Sequence, residues 1–262
     1  MIAAGGYIIN DYFDMHIDAI NKPAKVVVGK IVKRRWVILW HLVLSAAGIM
    51  ISLYFSWKTG NWIITLGNII CVLLLWFYST TFKKKLLTGN IIISALTAWV
   101  ILVLYFAYTH IGQSWPIYIR GWRLDSFGFD IRKLFKFTAL YAGFAFIISL
   151  IREVVKDMED MEGDAKYNSK TMPIVWGVPA TKVFIAVWLV VSISALSIVM
   201  IYAWQLGWRM SVLFGVALII IPMIIILRKL SKAVSSADYH KLSTYIKFLM
   251  LAGILSMLFF II

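Results

Sequence analysis

Asn10, Asp14 and Asp18 recur at every fourth residue of the stretch INDYFDMHIDAINKPAK. Asp157, Asp160 and Asp164 recur by three and then four in REVVKDMEDMEGDAKYNSKTMP. On a helix, residues three and four apart share a face, so each set lines one stripe. Asp11 with Asp14 and Asp18 also fits a slightly wider stripe. Like charges this close repel and weaken the helix unless a cation sits among them. Carboxylate and amide oxygens with no His or Cys partner suit a hard cation, magnesium rather than zinc. Magnesium keeps several waters and binds through a few carboxylates plus substrate phosphates. Two such stripes facing each other would hold a diphosphate through bridging metal ions. The residues of both stripes, Asp11 among them, are therefore candidate metal ligands, and Asp14 and Asp160, central in their stripes, the candidate catalytic residues. Glu159 and Glu162 read as the solvated side of the second stripe.

A diphosphate carries charge beyond what magnesium cancels, so Lys or Arg clamps are expected beside it. Lys22, Lys25 and Lys30 follow the first cluster; Arg152, Lys156, Lys166 and Lys170 surround the second. These are the candidate diphosphate-binding residues, among them Lys25, Arg152, Lys156 and Lys170. Lys83 to Lys85 read as topological charges only.

The elements that must carry these residues are membrane helices. The chain has 262 residues, is 62% hydrophobic and has a mean hydropathy of +0.87, which excludes an ordinary soluble domain. Apolar runs cover 37–57, 62–82, 90–110, 183–207 and 210–227. Shorter runs at 137–151 and 248–262 extend backward past Lys136 and Lys247, whose side chains snorkel to the interface. These make seven complete spans, and 1–9 reads as the tail of an eighth. Run lengths of this size select helices over a barrel. Of twelve acidic residues, nine fall in the two clusters, each just after a span. The net charge of +14 follows the positive-inside rule rather than nucleic-acid binding. With the loop holding Lys22 to Arg35 in the cytoplasm, 19 of the 26 Lys and Arg are cytoplasmic, and so are both acidic clusters. Cys71, the single cysteine, lies within a span and reads as a small buried apolar residue.

The two stretches resemble the UbiA superfamily of intramembrane prenyltransferases. NDYFDMHID fits its NDxxDxxxD motif and DMEDMEGD its DxxDxxxD motif, with INKP after the first and KTMP after the second. The resemblance spans the whole chain, 1–262, as one transmembrane prenyltransferase domain. It implies an all-α, multi-pass transmembrane bundle of nine helices around a cavity open to lipid. It implies magnesium-dependent transfer of a polyprenyl group from an allylic diphosphate to a membrane-associated acceptor, releasing diphosphate. It places Asn10, Asp14 and Asp18 in one metal site and Asp157, Asp160 and Asp164 in the other. Lys25 stands where relatives often carry a diphosphate-binding Arg, and supplies charge without a bidentate fork. VVVG stands in place of PIPSG, and Tyr78 and Lys83 are five apart where some relatives have Tyr-xxx-Lys. Trp36, Trp62, Trp76, Tyr78, Tyr105, Tyr108 and Trp115 suit an interfacial aromatic belt or contact with a carbocation.

The first motif reads most like the branch that prenylates glyceryl phosphate ethers, or the chlorophyll-synthase side. Quinone precursors and haem are alternative acceptors. Two other classes compete: a transporter of anionic lipids or cations, whose charges belong near the membrane midplane rather than at span ends, and an inactive truncated homologue. Relatives carry a helix and most of a second before the first motif. Here nine residues precede it, so the first one and a half helices of the family are missing and Met1 is expected to be internal to a longer product. About 60 further residues would add one full span, and without them the chain is expected to insert poorly.

Overall fold

A computed structural model describes residues 1–21, 23–114, 118–119, 122–123 and 131–260. Its principal helices are α1 Ile2–Asn21, α2 Arg34–Thr59, α3 Trp62–Thr80, α4 Thr88–Ser114, α5 Ile131–Glu159, α6 Met161–Lys166, α7 Met172–Val175, α8 Gly177–Gln205, α9 Arg209–Gly215, α10 Ile221–Lys232 and α11 Ser236–Leu255. Two antiparallel two-residue strands, Tyr118–Ile119 and Trp122–Arg123, make the one sheet among the described residues. Seven helical stretches among the described residues are long and apolar enough to cross a membrane, the number expected from hydropathy. The chain is a multi-pass integral membrane protein. It divides into two compact units, Met1–Lys83 with Ala95–Gly143, and Lys84–Ser94 with Phe144–Ile262.

The first unit packs by small and polar residues. The buried positions of α2 are Val37, His41, Ser45, Ser52 and Ser56, all on one stripe, while Leu42, Met50 and Tyr54 face outward. Lipid tails are as apolar as Leu, so burying Leu between helices gains little; close approach and interhelical hydrogen bonds gain more. The bonds are present. Ser56 and Thr65 hydroxyls meet at 2.7 Å. Asn68 donates to Ser52 Oγ at 2.7 Å and accepts from the Trp99 indole at 3.1 Å, joining α2, α3 and α4. Asn61 donates to the Phe106 carbonyl at 2.9 Å. His41 Nδ1 lies 2.9 Å from the Gly5 carbonyl, so this nitrogen carries the hydrogen, tying α1 to α2. Gly6 lets α1 approach α3: a Cβ there would meet Leu75 methyl carbons at 2.8 Å. Gly60 ends α2 at φ 73°, a left-handed turn that glycine adopts without strain.

The second unit packs by apolar stripes. Ile148, Ile151, Val155 and Met158 on α5, Ile185 and Leu189 on α8, Met223, Ile226 and Leu230 on α10, and Leu242, Ile246 and Leu249 on α11 recur by three and four and form one core. The sequence run 210–227 becomes α9, a π turn at Val216–Ile220, and α10. Pro222 explains the interruption. Its ring crowds the carbonyl four residues back and it has no N–H to donate, and the wider turn before it makes room.

Candidate active site

The first motif lies on α1. Asn10, Asp14 and Asp18 are half-buried on one stripe, and Asp11 is exposed. Asn10 Nδ2 donates to Asp14 Oδ2 at 2.7 Å. Asp14 Oδ1 forms an ion pair with Lys83. Asn10 Oδ1 is buried and has no hydrogen-bond partner among the described residues. Lys83 follows α3 in the short 3-10 turn Phe82–Lys84. It is thus more than the topological charge expected of it: its ammonium supplies the positive charge that an aspartate held among apolar helices requires. Lys30, beyond the motif, donates to the Pro23 carbonyl at 3.1 Å and so is engaged within its own loop. Of Lys25 only the backbone is described, in the turn Pro23–Lys25; Lys22 and Trp115 lie outside the described residues.

The second motif is not a continuous helical stripe. α5 ends at Glu159, α6 begins at Met161, and Asp160 sits between them at φ −95°, ψ 7°. At this break the Glu159 carbonyl accepts a hydrogen bond from Ser236 Oγ at 2.9 Å, while Asp160 N–H still donates to the Lys156 carbonyl at 2.9 Å. Asp157, on the last turn of α5, accepts from Asn90 Nδ2 at 2.8 Å. Asp164 lies on α6, and its carbonyl accepts from Ser169 N at 3.0 Å. Glu159 departs from the solvated role expected of it. Its side chain is 8% exposed, with His240 Nδ1 2.8 Å from Oε1. Glu162 does face solvent, at 79% exposure, paired with Lys166 at 3.0 Å.

The candidate diphosphate clamps differ in surroundings. Arg152 Nη1 lies 2.5 Å from Glu153 Oε1, and Glu153 is buried. Lys156 is half-buried. Lys170 is exposed, with its backbone N–H donating to the Lys84 carbonyl at 2.8 Å. The neighbouring Thr171 hydroxyl, in the KTMP stretch, is buried without a hydrogen-bond partner among the described residues. Among the aromatic residues, Trp76 packs edge-on to Phe13 and beside His41, whereas Trp36 and Trp62 are exposed at helix starts, as an interfacial belt requires.

Among the described residues, no three His, Cys, Asp or Glu side chains come together as a metal cluster. The donor chemistry nonetheless fits a hard cation. The groups are carboxylates and one amide, and the Asn10 side-chain oxygen is a buried acceptor that meets no donor among the described residues. Lys83, Asn90, Ser236 and His240 are the residues that motif spacing does not reveal. The only sequence trace of Lys83 is its position after Tyr78.

A sequence model of the UbiA prenyltransferase family matches residues 1–253. The digeranylgeranylglyceryl phosphate synthase of Methanosphaera stadtmanae is 29% identical over 259 residues, covering 97% of this chain and 82% of that protein. That of Methanothermobacter thermautotrophicus is 29% identical over 232 residues, covering 88% and 72%. A solved structure from work on digeranylgeranylglyceryl phosphate synthase in membranes matches with a TM-score of 0.57 and 24% identity, over 97% of this chain and 81% of that one. It is similar in fold.

Proposed function

Because the chain belongs to the UbiA prenyltransferase family, we propose that this prenyltransferase moves a geranylgeranyl-length chain from its allylic diphosphate to a glyceryl phosphate ether lipid. The names of its relatives support that acceptor class, as does the form NDYFDMHIDAINKP of its first motif. The observation that carries the reading is the Asn10–Asp14 pair, whose amide oxygen meets no donor among the described residues and whose carboxylate meets a lysine ammonium.

In this reading Asn10, Asp14 and Asp18, with Asp157, Asp160 and Asp164, hold magnesium. Magnesium bound there would supply positive charge to the diphosphate, which leaves as the allylic carbon–oxygen bond breaks. Asn10 and Asn90 orient Asp14 and Asp157 by hydrogen bonds. Lys83, Lys25, Arg152, Lys156 and Lys170 supply positive charge to the departing diphosphate. Apolar helix faces keep water from the allylic cation. The acceptor hydroxyl then forms the new carbon–oxygen bond and loses its proton. Both motifs face the cytoplasm, a reading supported by the distribution of Lys and Arg.

The test is acceptor competition. Protein in lipid nanodiscs receives geranylgeranyl diphosphate with geranylgeranylglyceryl phosphate, 4-hydroxybenzoate, dihydroxynaphthoate, chlorophyllide or haem, with and without magnesium. The expected result is a magnesium-dependent ether on the glyceryl phosphate alone. Product on an aromatic acceptor or haem would overturn the lipid assignment. Flux of lipid or cation without any product would favour a transporter.

A further inference from the structure

We propose that His240 and Ser236 of α11 are positioning residues for the aspartates of the second motif. The inference rests on the metal-binding reading of that motif and adds to it the element that holds the motif in shape.

Glu159 stands between Asp157 and Asp160, at the point where α5 stops. Ser236 Oγ donates to its carbonyl, and His240 Nδ1 meets its carboxylate. Residues 236 and 240 are four apart, so one face of α11 grips the backbone and the side chain of the same residue. An acid kept only for solubility needs neither contact, as Glu162 shows three positions on.

The grip has a rigid base. Ser235 caps α11 and accepts from the Asp238 N–H, while Asp238 Oδ2 accepts from the N–H groups of Val234 and Ser235 at 3.2 and 3.1 Å. This reciprocal cap fixes the turn from which Ser236 and His240 project. Tyr239 and Leu242, on the same two turns, belong to the apolar core that also contains Val155 and Met158 of α5. α11 is therefore fixed to α5 by the core, and to the end of α5 by polar contacts.

The consequence falls on Asp157 and Asp160, one on the last turn of α5 and one just past its end. Holding Glu159 sets the direction in which the chain leaves the helix, and so the separation of these two carboxylates. Groups that orient metal ligands from outside change metal affinity by about 10- to 100-fold when removed.

The experiment uses the full chain in nanodiscs. Free Mn²⁺ is titrated by electron paramagnetic resonance in the presence of inorganic diphosphate, beside the magnesium dependence of prenyl transfer and thermal melting. His240→Leu should weaken Mn²⁺ binding and raise the magnesium needed for half-maximal rate by about tenfold, with kcat at saturating magnesium within about twofold of wild type. His240→Asn, which keeps a donor near the Nδ1 position, should restore both. Ser236→Ala should shift both in the same direction as His240→Leu, and carries the comparison should His240→Leu fail to insert. Unchanged Mn²⁺ affinity in the leucine and alanine variants, or a fall in kcat that saturating magnesium does not recover, would overturn the proposal. Wild-type protein that binds no Mn²⁺, or Asp160→Ala that binds it normally, would instead overturn the metal-binding reading itself.

Discussion

Asp14 has a protein group on each carboxylate oxygen, Lys83 on one and Asn10 on the other. Lys83→Met leaves a largely buried carboxylate short of positive charge, a loss of about 1–3 kcal/mol. The expected outcome is a lower melting temperature in magnesium-free buffer, regained in part when magnesium is added. Equal melting of variant and wild type in both buffers would show that the ion pair contributes nothing. Asn10, Asp14 and Asp18 are legible in the sequence because type and period are local properties. The partners are not, because they come from far along the chain. Asn90 lies 67 residues from Asp157, and His240 lies 81 from Glu159. A run of three lysines beside a membrane already has a sufficient explanation in topology, which hides the one that meets Asp14.

The helices themselves are legible, because hydropathy over some twenty residues needs no tertiary context. What hydropathy misses is which side of a helix is buried, since lipid and protein interior are equally apolar. In α2 and α3 the informative signal is the sparse series Ser45, Ser52, Ser56 and Thr65, not the Leu and Ile around it. Breaks inside apolar or helical runs are hidden likewise: the π turn follows from Pro222, but the contact beside the turn at Asp160 comes from Ser236, 77 residues from Glu159. Two outcomes belong to this scale. Asn68→Leu removes the link between Ser52 and Trp99 and should lower stability by about 1 kcal/mol, with the magnesium requirement unchanged. Gly6→Leu puts a side chain into Leu75 and should destabilise by about 1–3 kcal/mol. Because α1 carries the first motif, that variant should also lose prenyl transfer. Thermal melting in detergent beside a transfer assay checks both, and a Gly6→Leu protein with wild-type stability and rate would contradict the packing described for α1.

At the scale of the whole molecule, nine of the twelve acids lie in two clusters at span ends while the rest of each span is apolar, an arrangement suited to a donor with a charged head and a long apolar tail. Each additional methylene that leaves water contributes about 0.8 kcal/mol, so a long tail concentrates its diphosphate in the bilayer and in the apolar site, and geranylgeranyl diphosphate should outcompete dimethylallyl diphosphate for the same acceptor. Competition among diphosphates of increasing length reads this directly, and a preference for the shortest would contradict it. Whether both aspartate motifs serve one prenyl transfer is read by single-turnover formation of the prenylated lipid. Wild-type chain, Asp14→Ala and Asp160→Ala would be compared in nanodiscs with magnesium, geranylgeranyl diphosphate and geranylgeranylglyceryl phosphate, after circular dichroism has shown equal helix content. Shared use of both motifs predicts product and diphosphate in equal amounts from wild type and neither from either variant. Near-normal turnover by one of the variants would contradict it.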